Sequence, residues 1–168
     1  NVSHRYAQIH TLERTVVVTF TSIDVINDAD HGSSKGEIEF FFAVNGTWRP
    51  DAHQGTQKIK SGHSIHLGDR GEVVLLEDAP ADLVLIVQGV EHDHSSDFCS
   101  GGAPPFDSFG GDHGPCVDEA TAFEVFNVDD LGVAEPALPS AHDGYFQLVT
   151  EDNYLKFRIH GTIDVTYG

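Results

Sequence analysis

Methionine is absent from the 168 residues, tryptophan occurs once and cysteine only twice. No apolar stretch approaches the roughly 18 residues that a membrane-crossing helix requires, which excludes a helical span. Sustained 3.6-residue periodicity is nearly absent as well, which argues against a helical bundle. Basic side chains are scarce: 9 Lys and Arg stand against 27 Asp and Glu, for a formal net charge of −18. A surface this negative repels phosphate backbones and anionic lipid, so it excludes nucleic-acid binding and membrane binding without calcium. It suits divalent cations, or a salty medium in which carboxylates keep the surface hydrated. A chain that starts at Asn1 and has no Met is expected to be a processed product or an excised piece, with any signal peptide out of view.

What is present suffices for a core. Hydrophobic residues make up 39% of the chain and include 11 Phe, and the length suits one domain, 1–168. Period-two alternation dominates. At the C-terminus Leu155, Phe157, Ile159, Gly161, Ile163, Val165 and Tyr167 alternate with polar residues, as in a strand with one buried face. Val16, Val18 and Phe20 share a face, but the apolar set then moves to Ile23 and Val25, which places a bulge near Thr21–Ser22. Ile38, Phe40, Phe42 and Val44 alternate up to a hairpin signal at Asn45-Gly46.

Shorter strands are expected at 57–60, 64–67, 72–77 and 145–150, with a longer one at 82–91. Residues 122–128 are ambiguous between strand and short helix. About eight strands separated by Gly, Asp and Asn read as an all-β antiparallel sandwich. Two long loops, 92–118 and 129–143, interrupt the regular spacing. The first holds Cys99 and Cys116. A disulfide between them would staple this Asp/Gly-rich loop by about 3 kcal/mol in the chain-entropy model and would place the protein outside the cytosol.

The strongest chemical signal is Asp28-Ala-Asp30, followed by Gly32, Glu37 and Glu39. Calcium takes six to eight oxygens at roughly 2.3–2.6 Å, and carboxylates on a turning loop supply them. An EF-hand is rejected, because the glycine is misplaced in the count and both flanks read as strands. A second signal, Glu91-His-Asp93-His-Ser-Ser-Asp97, comes directly after the strand at 82–91. In a simple meander the loops leaving the first and fifth strands open at one end, with Gly68-Asp69-Arg70 and Glu151-Asp152-Asn153 beside them. Carboxylates converging from separate loops repel unless a cation neutralises them. Asp107, Asp112 and Asp118 read more simply as turn chemistry.

A strand, an Asp-x-Asp loop, a Gly-Glu opening a second strand, and a later strand ending in an acidic loop together resemble C2-type calcium-binding β-sandwiches. The likeness covers about residues 14–97 and the terminal strand. It implies an eight-stranded sandwich with calcium held by Asp28 and Asp30 from one loop and Asp93 and Asp97 from another. The loop tips depart from the lipid-binding members, being mainly His, Ser and Gly. The resemblance therefore supports calcium and not membrane docking.

Other chemistries are weaker. His92, His94, His63 and His66 offer zinc ligands, yet such spacing on strands equally gives solvent-facing pairs. Ser95 and Ser96 lie beside His94 without a nucleophile elbow or oxyanion glycines. Trp48, Tyr6, Phe41, Phe98, Phe106 and Phe109 would serve a sugar platform, although such residues more often belong to the core. Asn1-Val-Ser3 and Asn45-Gly-Thr47 match the glycosylation acceptor pattern.

The expectation is a non-catalytic, calcium-binding sandwich module at an extracellular or particle surface, with a protein or glycan partner in adhesion or assembly. Its ligands are Asp28, Asp30, Glu37, Asp93 and Asp97, with Glu39 and Glu91 in reserve. A calcium-stabilised carbohydrate-binding module and an extracellular hydrolase are the alternatives.

Overall fold

Alternating inward apolar side chains commit the chain to strands, and those strands form two antiparallel sheets that share one hydrophobic core. The computed structural model describes residues 13–29, 35–48, 54–67, 72–92, 117–130, 141–142, 144–151 and 153–168. Among these there is no helix. The strands in chain order are β1 (Arg14–Asp28), β2 (Gly36–Val44), β3 (Thr47–Trp48), β4 (Gln54–Ile59), β5 (His63–His66) and β6 (Glu72–Leu76). They continue with β7 (Asp82–His92), β8 (Val117–Asn127), β9 (Ala141–His142), β10 (Tyr145–Val149) and β11 (Leu155–Tyr167).

One sheet runs β5-β1-β11-β10-β9, with β6 also pairing β1; the other runs β3-β2-β7-β8, with β4 also pairing β2. β5 and β6 share one edge of β1, opposite residues 22–25 and 16–20 respectively. β3 and β4 share one edge of β2 in the same way. The architecture is all-β and sandwich-like, as the periodicity predicts, but it is not the simple meander used to count strand directions.

Two irregularities shape β1. Its register against β11 shifts between Phe20 and Ser22, where the broken alternation places a bulge, and again between Val25 and Asn27. Each extra residue swaps the faces of the residues after it. The second shift therefore puts Asp28 opposite Leu155, on the core side, rather than facing solvent. Ala122–Val128, ambiguous by pattern, belongs to strand β8. Asn45 and Gly46 turn the chain with φ of 50° and 74°, the left-handed pair that a tight hairpin needs.

Phenylalanine fills the space between the sheets. Phe20 lies 4.9 Å from Phe42 and 5.6 Å from Phe146, and Phe40 meets Phe157 edge-on at 5.1 Å. Each fully buried Phe is worth about 1.5–3 kcal/mol of transfer free energy. Two inward glycines make room for these rings. A Cβ on Gly89 would sit 2.5 Å from the Phe157 ring, and one on Gly161 would collide with Phe146 and the Thr19 carbonyl.

Candidate functional site

Of the acidic residues singled out by the sequence, Asp28, Glu37, Glu39 and Glu91 lie at the end of the sandwich where β1 stops. β2 runs antiparallel to β7 with Ile38 opposite Glu91, so the segment after β1 and the segment after β7 leave the same end. The turn between β10 and β11 joins them, since Asn27 Nδ2 donates to the Asn153 carbonyl at 2.9 Å. The 68–70 segment lies outside the described residues; its flanks, His66 and Glu72, pair with Ser22 and Phe20.

Asp28 is 6% exposed and fully engaged with one serine. Its Oδ1 accepts from Ser61 Oγ at 2.8 Å, its Oδ2 accepts from Ser61 N at 3.2 Å, and its own N donates to Ser61 Oγ at 3.0 Å. This carboxylate therefore ties the end of β1 to the β4–β5 turn. Gly36 opens β2 so close to Asp28 that a Cβ would lie 2.7 Å from the Asp28 carbonyl oxygen. The Gly-Glu step after the Asp-x-Asp loop thus has a steric cause: only glycine lets β2 start against the end of β1.

The other predicted ligands separate onto two faces. Glu91 is 2% exposed on the core side, where it pairs in register with Asp118, itself 3% exposed, and its Oε1 accepts from Glu37 N at 3.3 Å. Asp118, expected in a loop, is a strand residue opposite Glu91. Glu37 and Glu39 occupy alternate positions on the outer face: Glu37 pairs with Lys58, and Glu39 Oε2 lies 3.4 Å from His92 Nε2. Three acidic side chains (Asp28, Glu91 and Asp118) thus sit inward at one end, where solvation is poor and negative charge needs compensation. Among the described residues no group of three or more His, Cys, Asp or Glu is placed to hold a metal ion. Asp30, Asp93, Asp97, Cys99 and Cys116 lie outside the described residues.

A second polar constellation carried no sequence signal, because its members come from three strands. Ser64 Oγ on β5 donates to Asp24 Oδ1 on β1 at 2.6 Å, and His160 Nε2 on β11 lies 2.7 Å from Asp24 Oδ2. The Ser64 hydroxyl first, and His160 next, hold the Asp24 carboxyl below its ordinary range. The carboxylate stands between the hydroxyl and the imidazole, so the serine is bonded to an acid and not to a general base. That arrangement is a tie across three neighbouring strands of one sheet rather than an activated nucleophile.

The fold and this acidic end define an all-β, sandwich-like protein with three buried acidic residues, Asp28, Glu91 and Asp118, at one end. No protein-family model matches the chain, and a search of curated proteins finds no match either.

Proposed function

We propose that the chain is a non-catalytic calcium-binding module of C2-like character, working at an extracellular surface in adhesion or assembly. The observation that carries this reading is the placement of Asp28, Glu91 and Asp118 on the core side at the end where the acidic segments leave. Buried carboxylates at one end of the sandwich are poorly solvated, a cost that a cation would offset. Asp30, Asp93 and Asp97 would complete a shell that the described residues do not complete alone, with Glu37 and Glu39 on its outer side. A Cys99–Cys116 disulfide would fix the segment carrying Asp97.

The test is thermal. A cation that binds only the folded chain stabilises it by RT ln(1 + [L]/Kd), about 2.7 kcal/mol at a hundredfold excess over Kd. Calcium should raise the melting temperature and EDTA should lower it; an unchanged curve across millimolar calcium ends the proposal. Asp30→Ala then separates ligand from turn residue. It should lose more stability with calcium than without, since in the metal-free chain it only relieves repulsion. Equal losses in both conditions would make Asp30 a turn residue. If both loops serve one ion, Asp30→Ala and Asp93→Ala should be non-additive.

A further inference from the structure

We propose that the edge of the sandwich between β4 and β5 binds a compact organic anion, a molecule about the size of a monosaccharide that carries a carboxylate or sulfate group. Here the chain crosses from one sheet to the other: β4 pairs with β2, and after a turn β5 pairs with β1. A cleft of about 330 Å³ opens between the two edges, within the roughly 300–1,000 Å³ range of small-molecule sites. Ile59 and Ile65 form its apolar floor, opposite Gly36 and Ile23 on the core-facing sides of their strands. Lys35, Lys58, Lys60 and His63 stand around it.

Charge singles this cleft out. Three of the four lysines in a chain of net charge −18 line it. Among the described residues no carboxylate lines the cleft: Glu37 offsets Lys58, while Asp28 and Asp24 keep their charge outside the lining, bonded to Ser61 and to Ser64 and His160. Lys35 and Lys60 form no ion pair among the described residues, so their ammonium groups are available to a ligand. His63 Nδ1 lies 3.4 Å from the Ser61 carbonyl, which leaves Nε2 as the ring atom for a ligand. The Asp28–Ser61 bonds, with Gly62 N donating to the Val25 carbonyl at 2.8 Å, hold the turn in place before any ligand arrives.

The surrounding field sets the size of the ligand. A long polyanion would have to run from the cleft onto a strongly negative surface, whereas a compact anion stays within reach of Lys35 and Lys60. A neutral molecule would desolvate the ammonium groups without compensating their charge. The apolar floor suits the carbon face of a small ring. The site touches the calcium reading only through Asp28, whose bonds to Ser61 hold the turn, and it requires no bound cation.

The experiment titrates the isotope-labelled full chain, without added calcium, with sodium glucuronate, glucose and sodium sulfate, following amide shifts. Glucuronate should shift residues 58–65 saturably, glucose should not, and raising NaCl to about 0.5 M should weaken the effect. A Lys35→Gln/Lys60→Gln double variant should lose about tenfold or more in glucuronate affinity while the amide spectrum away from residues 58–65 stays that of the folded parent. Absence of saturation up to roughly 50 mM, well past a millimolar dissociation constant, overturns the proposal. So does equal binding of glucose, or undiminished affinity in the double variant. Sulfate binding as tightly as glucuronate at the same amides would leave an adventitious ion only.

Discussion

A methyl group at position 161 has no space to occupy. Gly161 pairs directly with Phe146 across β10 and β11, and the phenyl ring lies over the glycine, with the Thr19 carbonyl on the other side. Gly161→Ala should therefore cost about 1–3 kcal/mol by overpacking, read as a lower urea midpoint at constant slope. Gly46, at φ 74° with open space around it, should lose only about 1 kcal/mol to Ala through left-handed strain. The inward direction of Gly161 is legible in the alternation. Its reason is not, because the ring that needs the room sits on another strand.

Charge at single residues gives a second prediction. Arg14 grips Asp129 with both arms, Nε to Oδ1 at 2.7 Å and Nη2 to Oδ2 at 2.5 Å, and Tyr167 Oη donates to the same carboxylate at 2.9 Å. These bonds, Arg14 first, hold Asp129 below its ordinary value of 3.8. A carboxyl with a depressed folded pKa adds stability that is present above its unfolded value and lost as pH falls through the folded one. Asp129→Asn should therefore be less stable near neutrality and show a flatter loss of stability below pH 3.8 when urea midpoints are plotted against pH. An acid limb identical to the parent's would remove Asp129 from the account.

Among the elements, the Asp28–Ser61 tie explains why β4 and β5 keep their places across the gap between the sheets. Ser61 Oγ both donates to the Asp28 carboxylate and accepts from the Asp28 amide. Ser61→Ala leaves both Asp28 groups short of a partner in a part-buried setting, at a cost of about 1–3 kcal/mol. Hydrogen exchange should show the loss as faster opening of β5 and the end of β1; exchange unchanged there would mean the tie is idle. The legibility of each element tracks its core-facing residues. β11 shows an unbroken apolar row from Leu155 to Val165 and is plain in the sequence. β8 turns Asp118, Ala120, Ala122 and Phe126 toward the core, too small and too acidic a set to announce a strand. The first bulge of β1 is legible because Phe20 and Ile23 break parity. The second is hidden because Asp28 takes the core-facing position where an apolar residue would have marked it. For the same reason the acidic end is legible as a set of carboxylates, while the assignment of Asp28 and Glu91 inward and Glu37 and Glu39 outward depends on register.

For the molecule as a whole, a net charge of −18 works against compactness, since like charges lie closer in the folded chain than in the unfolded one. The signature of such repulsion is its dependence on ionic strength: the screening length falls from about 10 Å at 0.1 M salt to about 3 Å at 1 M. Sodium chloride should therefore raise the melting temperature gradually over that whole range. Calcium bound at the acidic end should act differently, saturating at a concentration set by its dissociation constant and far below that needed for screening. Melting curves in NaCl, MgCl₂ and CaCl₂ at matched ionic strength separate the two effects. Magnesium is a demanding control, because it insists on octahedral geometry and sheds water reluctantly, whereas calcium accepts an irregular carboxylate shell. Stabilisation by calcium well beyond magnesium, saturating in the millimolar range or below, would fit a built site. Equal effects of the two divalent ions, tracking ionic strength alone, would mean that the acidity serves hydration in a salty medium and that the inward carboxylates hold no calcium.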